Sequence, residues 1–303
     1  MKIVWSFWPE PLKSMHGSSW PNMNLYLCSW VLSVMTAKQY YRNTALVTNS
    51  EGKSILVDRL GLEFSNVSTE LDVMVDADPE FWALGKIYAY RAQNEPFIHI
   101  DSDVFLWKKL PDQVERADVI IQNPEFFIVG EKGAYYIPDI LENECICENE
   151  GWLPQEWLWY RATFPDLLKA FCCGIYGGNR LDFIHYCANL AINIIDHPVN
   201  KEVLKESSVK QLYIMLLEQF LPAACYEYHF DNRFSKFLNL KVDNLFSCVD
   251  DAYFKASRLG FTHLIAGSKR NTYLTQRLLN RVQKDYPEFF ETCKKMSLNL
   301  FSL

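Results

Sequence analysis

No two cysteines in this chain stand at the Cys-x-x-Cys spacing. There are nine, an odd number, and the only close ones are Cys145-Ile-Cys147 and Cys172-Cys173. The spacing argues against a zinc framework built on paired cysteines. Unpaired thiols in such number point to a reducing compartment. Long apolar runs are missing as well. None approaches the ~20 residues that span a bilayer, and the start, MKIVWSFWPEPLKSM, lacks the apolar core of a secretory signal. The expectation is a cytoplasmic protein without a transmembrane segment, which leaves room for peripheral association with a membrane. No basic block interrupts a net charge of -7. The phosphate-neutralising surface of a nucleic-acid binder thus has no source. Internal repeats, low-complexity tracts and clean linkers are also wanting.

What is present is ordinary in bulk and specific in detail. The 303 residues suit one large domain or two smaller ones. A hydrophobic share of 49% with 22% charged residues excludes a disordered chain. Aromatic residues reach 15%. That fits either a large aromatic core or a cleft that stacks flat rings, and composition alone does not choose between them.

Periodicity orders the elements. A strand opens the chain over Lys2–Phe7. A helix is expected over 22–41, with Leu25, Cys28, Leu32 and Met35 on one stripe. Strand Thr44–Thr48 follows, then a helix over 52–60 closed by Gly61 and a strand near 63–67. Pro79 marks a helix start, apolar spacing carries the helix over 81–93, and Pro96 stops it before strand Phe97–Ile100. Beyond lie a strand over 117–122, a loop excursion over 130–155, and an apolar strand over 171–176 that ends in Gly177-Gly178-Asn179. Helices over 181–196 and 207–220, a late strand over 225–230 and an amphipathic helical tail complete the pattern. Strand and helix in alternation predict an α/β fold with a mixed, mostly parallel central sheet flanked by helices. Ligands in such sheets bind beyond the carboxyl ends of the strands.

The stretch FIHIDSDVFLW, 97–107, falls at that kind of place. A bulky, β-branched run leads directly into Asp101 and Asp103. In an extended chain residues i and i+2 point to the same side. Two carboxylates held that close repel unless a positive charge joins them. A capped surface turn is one reading. The other is a site for Mg²⁺ or Mn²⁺, hard ions that favour carboxylates and keep open positions for phosphate oxygens. Near the end stands THLIAGSK, 262–269. His263 can be a neutral nitrogen ligand, which Mn²⁺ tolerates better than Mg²⁺. Gly267 would permit close backbone approach, and Lys269 can neutralise a phosphate.

Together these residues resemble the nucleotide-sugar-dependent glycosyltransferases of the GT-A fold. The pattern is similar to the bacterial family 8 and 32 type, whose Asp-x-Asp is completed by a C-terminal His-x-x-Gly-x-x-Lys. Here the glycine is shifted by one place, while His263 and Lys269 keep the separation of six positions. The resemblance implies a Rossmann-like GT-A catalytic domain over 1–270, with a nucleotide-binding half, 1–125, and a sugar and acceptor half, 126–270. A helical elaboration over 271–303 follows. It implies metal ligands Asp101, Asp103 and His263, with Mn²⁺ or Mg²⁺ as cofactor. Trp5, Ser6 and Trp8 would meet the nucleotide, Lys86 would aim at the donor, and Gly177, Gly178 and Asn179 would line the donor sugar. Gly267 would lie against the diphosphate and Lys269 would offset its charge. Glu218, an acid inside the apolar helix YIMLLEQFL, is the candidate base or acceptor-positioning group, with Asp250 or Asp251 behind it.

The implied partners are a nucleotide diphosphate sugar and a glycan or lipid-linked glycan acceptor, as in bacterial polysaccharide synthesis. The implied reaction is hexosyl transfer, with retention favoured. A nucleotidyltransferase acting on sugar phosphates would share the sheet. It would normally carry a Gly-rich basic loop after the first strand, where this chain has Trp-Ser-Phe-Trp-Pro. A glycoside hydrolase sets its carboxylates on separate elements across the sugar, which an i, i+2 pair does not provide. A non-catalytic sugar-nucleotide-binding partner protein is the remaining alternative.

Overall fold

β1 (Lys2–Phe7) and β2 (Thr44–Thr48) are buried along almost their whole length. Strands with no solvent-facing side belong in the middle of a sheet covered by helices. The computed structural model, which describes residues 1–13, 20–131 and 135–298, shows that arrangement. A seven-stranded sheet runs in the order β3 (Asn66–Ser68), β2, β1, β4 (Phe97–Ile100), β7 (Leu167–Gly178), β6 (Val119–Ile128), β8 (Val242–Asn244). β7 pairs antiparallel with β4 and β6, and the other neighbours are parallel. A separate two-stranded ladder joins β5 (Val104–Leu106) to β9 (Phe261–His263). The architecture is α/β, with a mixed, mostly parallel central sheet flanked by helices.

Alternation along the strands builds two apolar layers. Val4, Ala45, Val47, Phe97 and Ile121 point into one. Ile3, Trp5, Leu46, Ile98, Ile100 and Ile120 point into the other. The second layer is closed by helix Met23–Lys38, whose first turn is capped by the Asn22 side chain on the Leu25 N–H. Helices Thr272–Asp285 and Pro287–Ser297 pack on that helix. They bury Leu278, Val282, Phe290, Cys293 and Met296 in the same layer. Of the expected 271–303 elaboration, residues 299–303 lie outside the described ones. Among the described residues, no helix is long and apolar enough to cross a membrane.

Several elements differ from the sequence reading. The expected late strand over 225–230 is part of helix Leu221–Asp231. A short aromatic run carries no period of its own, and here the preceding helical turns extend through it. The expected 207–220 helix divides into α-helix Lys210–Met215 and a π-helical stretch, Leu216–Phe220. The 130–155 excursion holds helix Pro138–Glu142 and a π-helical turn, Asn143–Cys147. Residues 132–134 of that excursion lie outside the described ones. Gly177-Gly178, expected just past the strand as part of the donor-sugar lining, are the last two residues of β7.

Candidate active site

The chain leaves β1 toward β2 and returns on its other side as β4. Where strand order reverses like this, the connections diverge and a crevice opens beyond the carboxyl ends. Ser6 and Trp8 from the end of β1 line one cleft there with Asp101, Asp103, Lys86 and Lys269. Trp20, Tyr26 and Trp82 add aromatic walls.

Asp101 and Asp103 converge through a turn rather than along an extended strand. The Asp101 N–H donates to Gly174 O of β7 at 3.1 Å, and Val104 N–H donates back to Asp101 O at 3.0 Å. The chain then enters β5, where Val104 pairs with His263 of β9. This ladder sets His263 beside Asp103, and Leu264 N–H donates to Asp103 O at 3.0 Å. A short 3-10 turn, Ala266–Arg270, carries Lys269 back to Asp103 Oδ2 at 2.5 Å. One ligand atom each from Asp101, Asp103 and His263 lie within 4.8 Å of one another. The group can hold a metal ion.

Its chemistry fits a divalent cation. Asp103 is 5% exposed. Its Oδ1 accepts no hydrogen bond and lies 3.4 Å from His263 Nε2, while His263 Nδ1 meets Gln122 Oε1 at 2.7 Å. Burial disfavours charge on Asp103, yet the ammonium of Lys269 outweighs it and holds its carboxyl below the ordinary range. A second cation completes the floor. Lys86 Nζ lies 2.8 Å from Asp101 Oδ1 and also pairs with Glu218. Burial works against its charge, but Asp101 and Glu218 prevail and keep it well above the usual lysine value. Burial pushes the Glu218 carboxyl up, only partly offset by Lys86. His99 is enclosed on β4, with Nε2 at 3.0 Å from Ser6 Oγ. Burial, and then the charge of Lys86, hold it well below the ordinary histidine range, so it is neutral.

The other expected site residues scatter. Trp5 faces away from the cleft into the core. Its Nε1–H donates to Ser33 Oγ at 2.9 Å, and Ser33 Oγ–H donates to Asp101 O at 3.2 Å, so Trp5 braces the aspartate turn from behind. Glu218 is fully enclosed behind Lys86 and does not line the cleft. Gly177 and Gly178 pair with Ile98 and Phe97, at the opposite end of β4 from Asp101. A Cβ on Gly177 would meet Phe97 O, and one on Gly178 would meet Asp118 O, so these glycines serve sheet packing. Asn179 caps the same far edge through its side-chain donors to Glu115 O and Ala117 O. Gly267 borders open space, and the left-handed residue beside it is Ala266, φ 45°. Asp251 is engaged by Lys255 at 2.6 Å, and neither it nor Asp250 lines the cleft. Two other glycines serve the site: Gly85 lines the cleft against Trp8, and Gly174 packs against Gln122 and His263. Gln122 escaped the sequence reading, and Gly174 stood in it only as part of the apolar strand before the paired glycines. Their signals were a polar pair closing the apolar run ADVIIQN and a glycine inside FCCGIY.

Residues 1–296 match the model of a family of unknown function, DUF6734. The chain belongs to this family. No curated protein matches it in sequence. Among solved structures, this DUF6734 member is similar to the galactosyltransferase LgtC in complex with donor and acceptor sugar analogs. That likeness is at 10% identity over 91% of this chain and 96% of that one, with a TM-score of 0.40. It is also similar to the glycosyltransferase GlyE of Streptococcus pneumoniae TIGR4, at 8% identity over 98% of this chain and 64% of that one, with a TM-score of 0.41. At these values neither likeness bears on activity.

Proposed function

We propose that the cleft is the active site of a metal-dependent glycosyltransferase. It would move a sugar from a nucleotide diphosphate sugar to a hydroxyl of a glycan or lipid-linked glycan. The observation that carries this reading is the buried, unpaired Asp103 Oδ1 aimed at His263 Nε2, with Asp101 alongside. Asp101 and Asp103 line the cleft with Lys86 and Lys269, and His263 stands behind them, its ligand atom within 4.8 Å of theirs. When bound, Mn²⁺ or Mg²⁺ supplies Lewis-acid stabilisation of the departing diphosphate.

The chain's own residues do the rest. Asp101, Asp103 and His263 are the ligands. Lys269, poised on Asp103, places positive charge where the leaving group gains negative charge. Lys86, fixed between Asp101 and Glu218, offers donors toward the sugar side of the cleft. Trp8 and Trp82 form apolar walls that suit a flat base and keep water out. Among the described lining residues, Asp101 and Asp103 are the only carboxylates. An inverting reaction needs a base for the acceptor hydroxyl. We therefore read the transfer as retaining, with the leaving phosphate taking that proton. Glu218 becomes a positioning residue for Lys86.

A thermal-shift screen of nucleoside diphosphates and their sugars, with Mn²⁺ and with EDTA, tests the reading. A ligand at 100 times its Kd stabilises the folded state by about 2.7 kcal/mol. One nucleotide is expected to raise Tm only with metal, and Asp103→Asn is expected to abolish that shift. If no nucleotide moves the midpoint of the folded, metal-supplied protein, the transferase reading fails.

A further inference from the structure

We infer that Gln122 is a positioning residue that locks His263 in the tautomer with the proton on Nδ1, leaving the Nε2 lone pair facing the carboxylates. Contact alone does not establish this. A glutamine amide can present either its oxygen or its nitrogen, and a histidine ring nitrogen can donate or accept. The neighbours decide. Asn123 Nδ2 donates to Pro124 O at 3.2 Å. A carbonyl only accepts, so the nitrogen end of Asn123 must face it, and Oδ1 is left for Gln122. Gln122 Nε2 donates to that Oδ1 at 3.1 Å. The oxygen end of Gln122 therefore meets His263 Nδ1 at 2.7 Å, and the proton in that bond belongs to the ring.

Local structure is built around this chain of bonds. Side chains of consecutive strand residues normally point to opposite faces. A register shift in the β6–β7 pairing between Ile121 and Asn123 breaks that rule and lets Gln122 and Asn123 touch. Both are buried, at 4% and 1% exposure, so water does not compete for the bonds. Gly174 lies across the contact. A Cβ there would come under 3.0 Å from both Gln122 Oε1 and the His263 ring. Only glycine at this point of β7 lets the two side chains meet.

The lock stands on the hydrogen-bond chain alone, and only its consequence for metal affinity rests on the function proposed above. The full chain, ¹⁵N-labelled at histidine and free of metal, would be measured by long-range ¹H–¹⁵N NMR at pH 8. The His263 signals are identified by their loss in His263→Asn. The expected result is a protonated Nδ1 and a bare Nε2. Gln122→Met removes the acceptor and is expected to mix the tautomers, whereas Gln122→Glu restores the single form. Mn²⁺ titration followed by EPR of the free ion is expected to show affinity lower by about 10- to 100-fold in Gln122→Met, with Gln122→Glu close to the parent. A parent protein with His263 protonated on Nε2, or on both nitrogens, overturns the inference whether or not either variant folds. An unchanged tautomer in folded Gln122→Met overturns it too. The expected tautomer in a parent that binds no Mn²⁺ leaves the lock standing and removes the metal from the proposed function.

Discussion

Lys86 carries two obligations at once, because it neutralises Asp101 at the cleft and Glu218 beneath it. Removing one partner of a buried pair strands the other charge, at a cost of about 3–5 kcal/mol. Lys86→Met leaves the fully enclosed Glu218 without a cation and is expected to cost that much in urea unfolding. Glu218→Gln leaves Lys86 with Asp101 and is expected to cost less, about 1.5–3 kcal/mol by the scale of a hydrogen bond to a charged group. The double variant should recover part of the Lys86→Met loss. A Glu218→Gln protein of unchanged stability but without turnover would instead make Glu218 a reacting group. His99 sets a pH dependence. Its folded-state pKa is depressed, so its contribution to stability is fully present above the unfolded value of about 6.5. That contribution is lost as pH falls from there toward the folded value, by up to about 1.4 kcal/mol per pH unit. Urea midpoints at pH 7.5 and 5.5 should differ less in His99→Asn than in the parent.

At the level of elements, β7 does two unlike jobs. Its middle admits the Gln122–His263 contact at Gly174, and its end lies tight against β4 and β6 at Gly177 and Gly178. Both terminal glycines have φ in the region that other residues avoid, 155° and 138°. Gly178→Ala is expected to lower Tm by several degrees, in keeping with a loss of about 1–3 kcal/mol from strain and overpacking. Metal and nucleotide affinity of the surviving folded protein should stay at the parent level. A selective loss of donor binding, measured by titration calorimetry at unchanged Tm, would return these glycines to the sugar site.

For the whole molecule, the free thiols report how closed the two apolar layers are. All nine cysteines are free, and only Cys147 and Cys248 are exposed. Burial pushes the thiols of Cys172 and Cys173 well above their ordinary value, which suppresses the reactive thiolate. The native protein is expected to release two equivalents of thionitrobenzoate rapidly from DTNB, and the denatured chain nine. More than two fast thiols in the native protein would mean that a core layer opens on the time scale of the reaction.

Near neighbours in the chain settled much of this. Lys2–Phe7, Thr44–Thr48 and Phe97–Ile100 are legible as strands because short runs rich in β-branched and bulky apolar residues have few other stable outcomes. The α/β class followed from their alternation with helical spacing, and the place of Asp101 and Asp103 followed from where one such run stops. What local pattern could not decide was which distant groups meet. The paired glycines read as room for a sugar, and only the neighbouring carbonyls of Phe97 and Asp118 showed that the close approach is made by the sheet itself. Trp5 and Trp8 looked alike in the chain, but Trp5 lies on β1 and turns into one apolar layer, whereas Trp8 follows the strand's end and, buried against the other layer, borders the cleft. Glu218 looked exposed to chemistry until the fold enclosed it behind Lys86. Gln122 became informative only when β5 paired with β9 and brought His263 across β7. Sequence by itself determined the elements, because their driving forces are periodic and short in range. Tertiary structure decided the site, because hydrogen bonds and ion pairs act over a few ångströms between residues that stand more than a hundred positions apart, as Gln122 and His263 do.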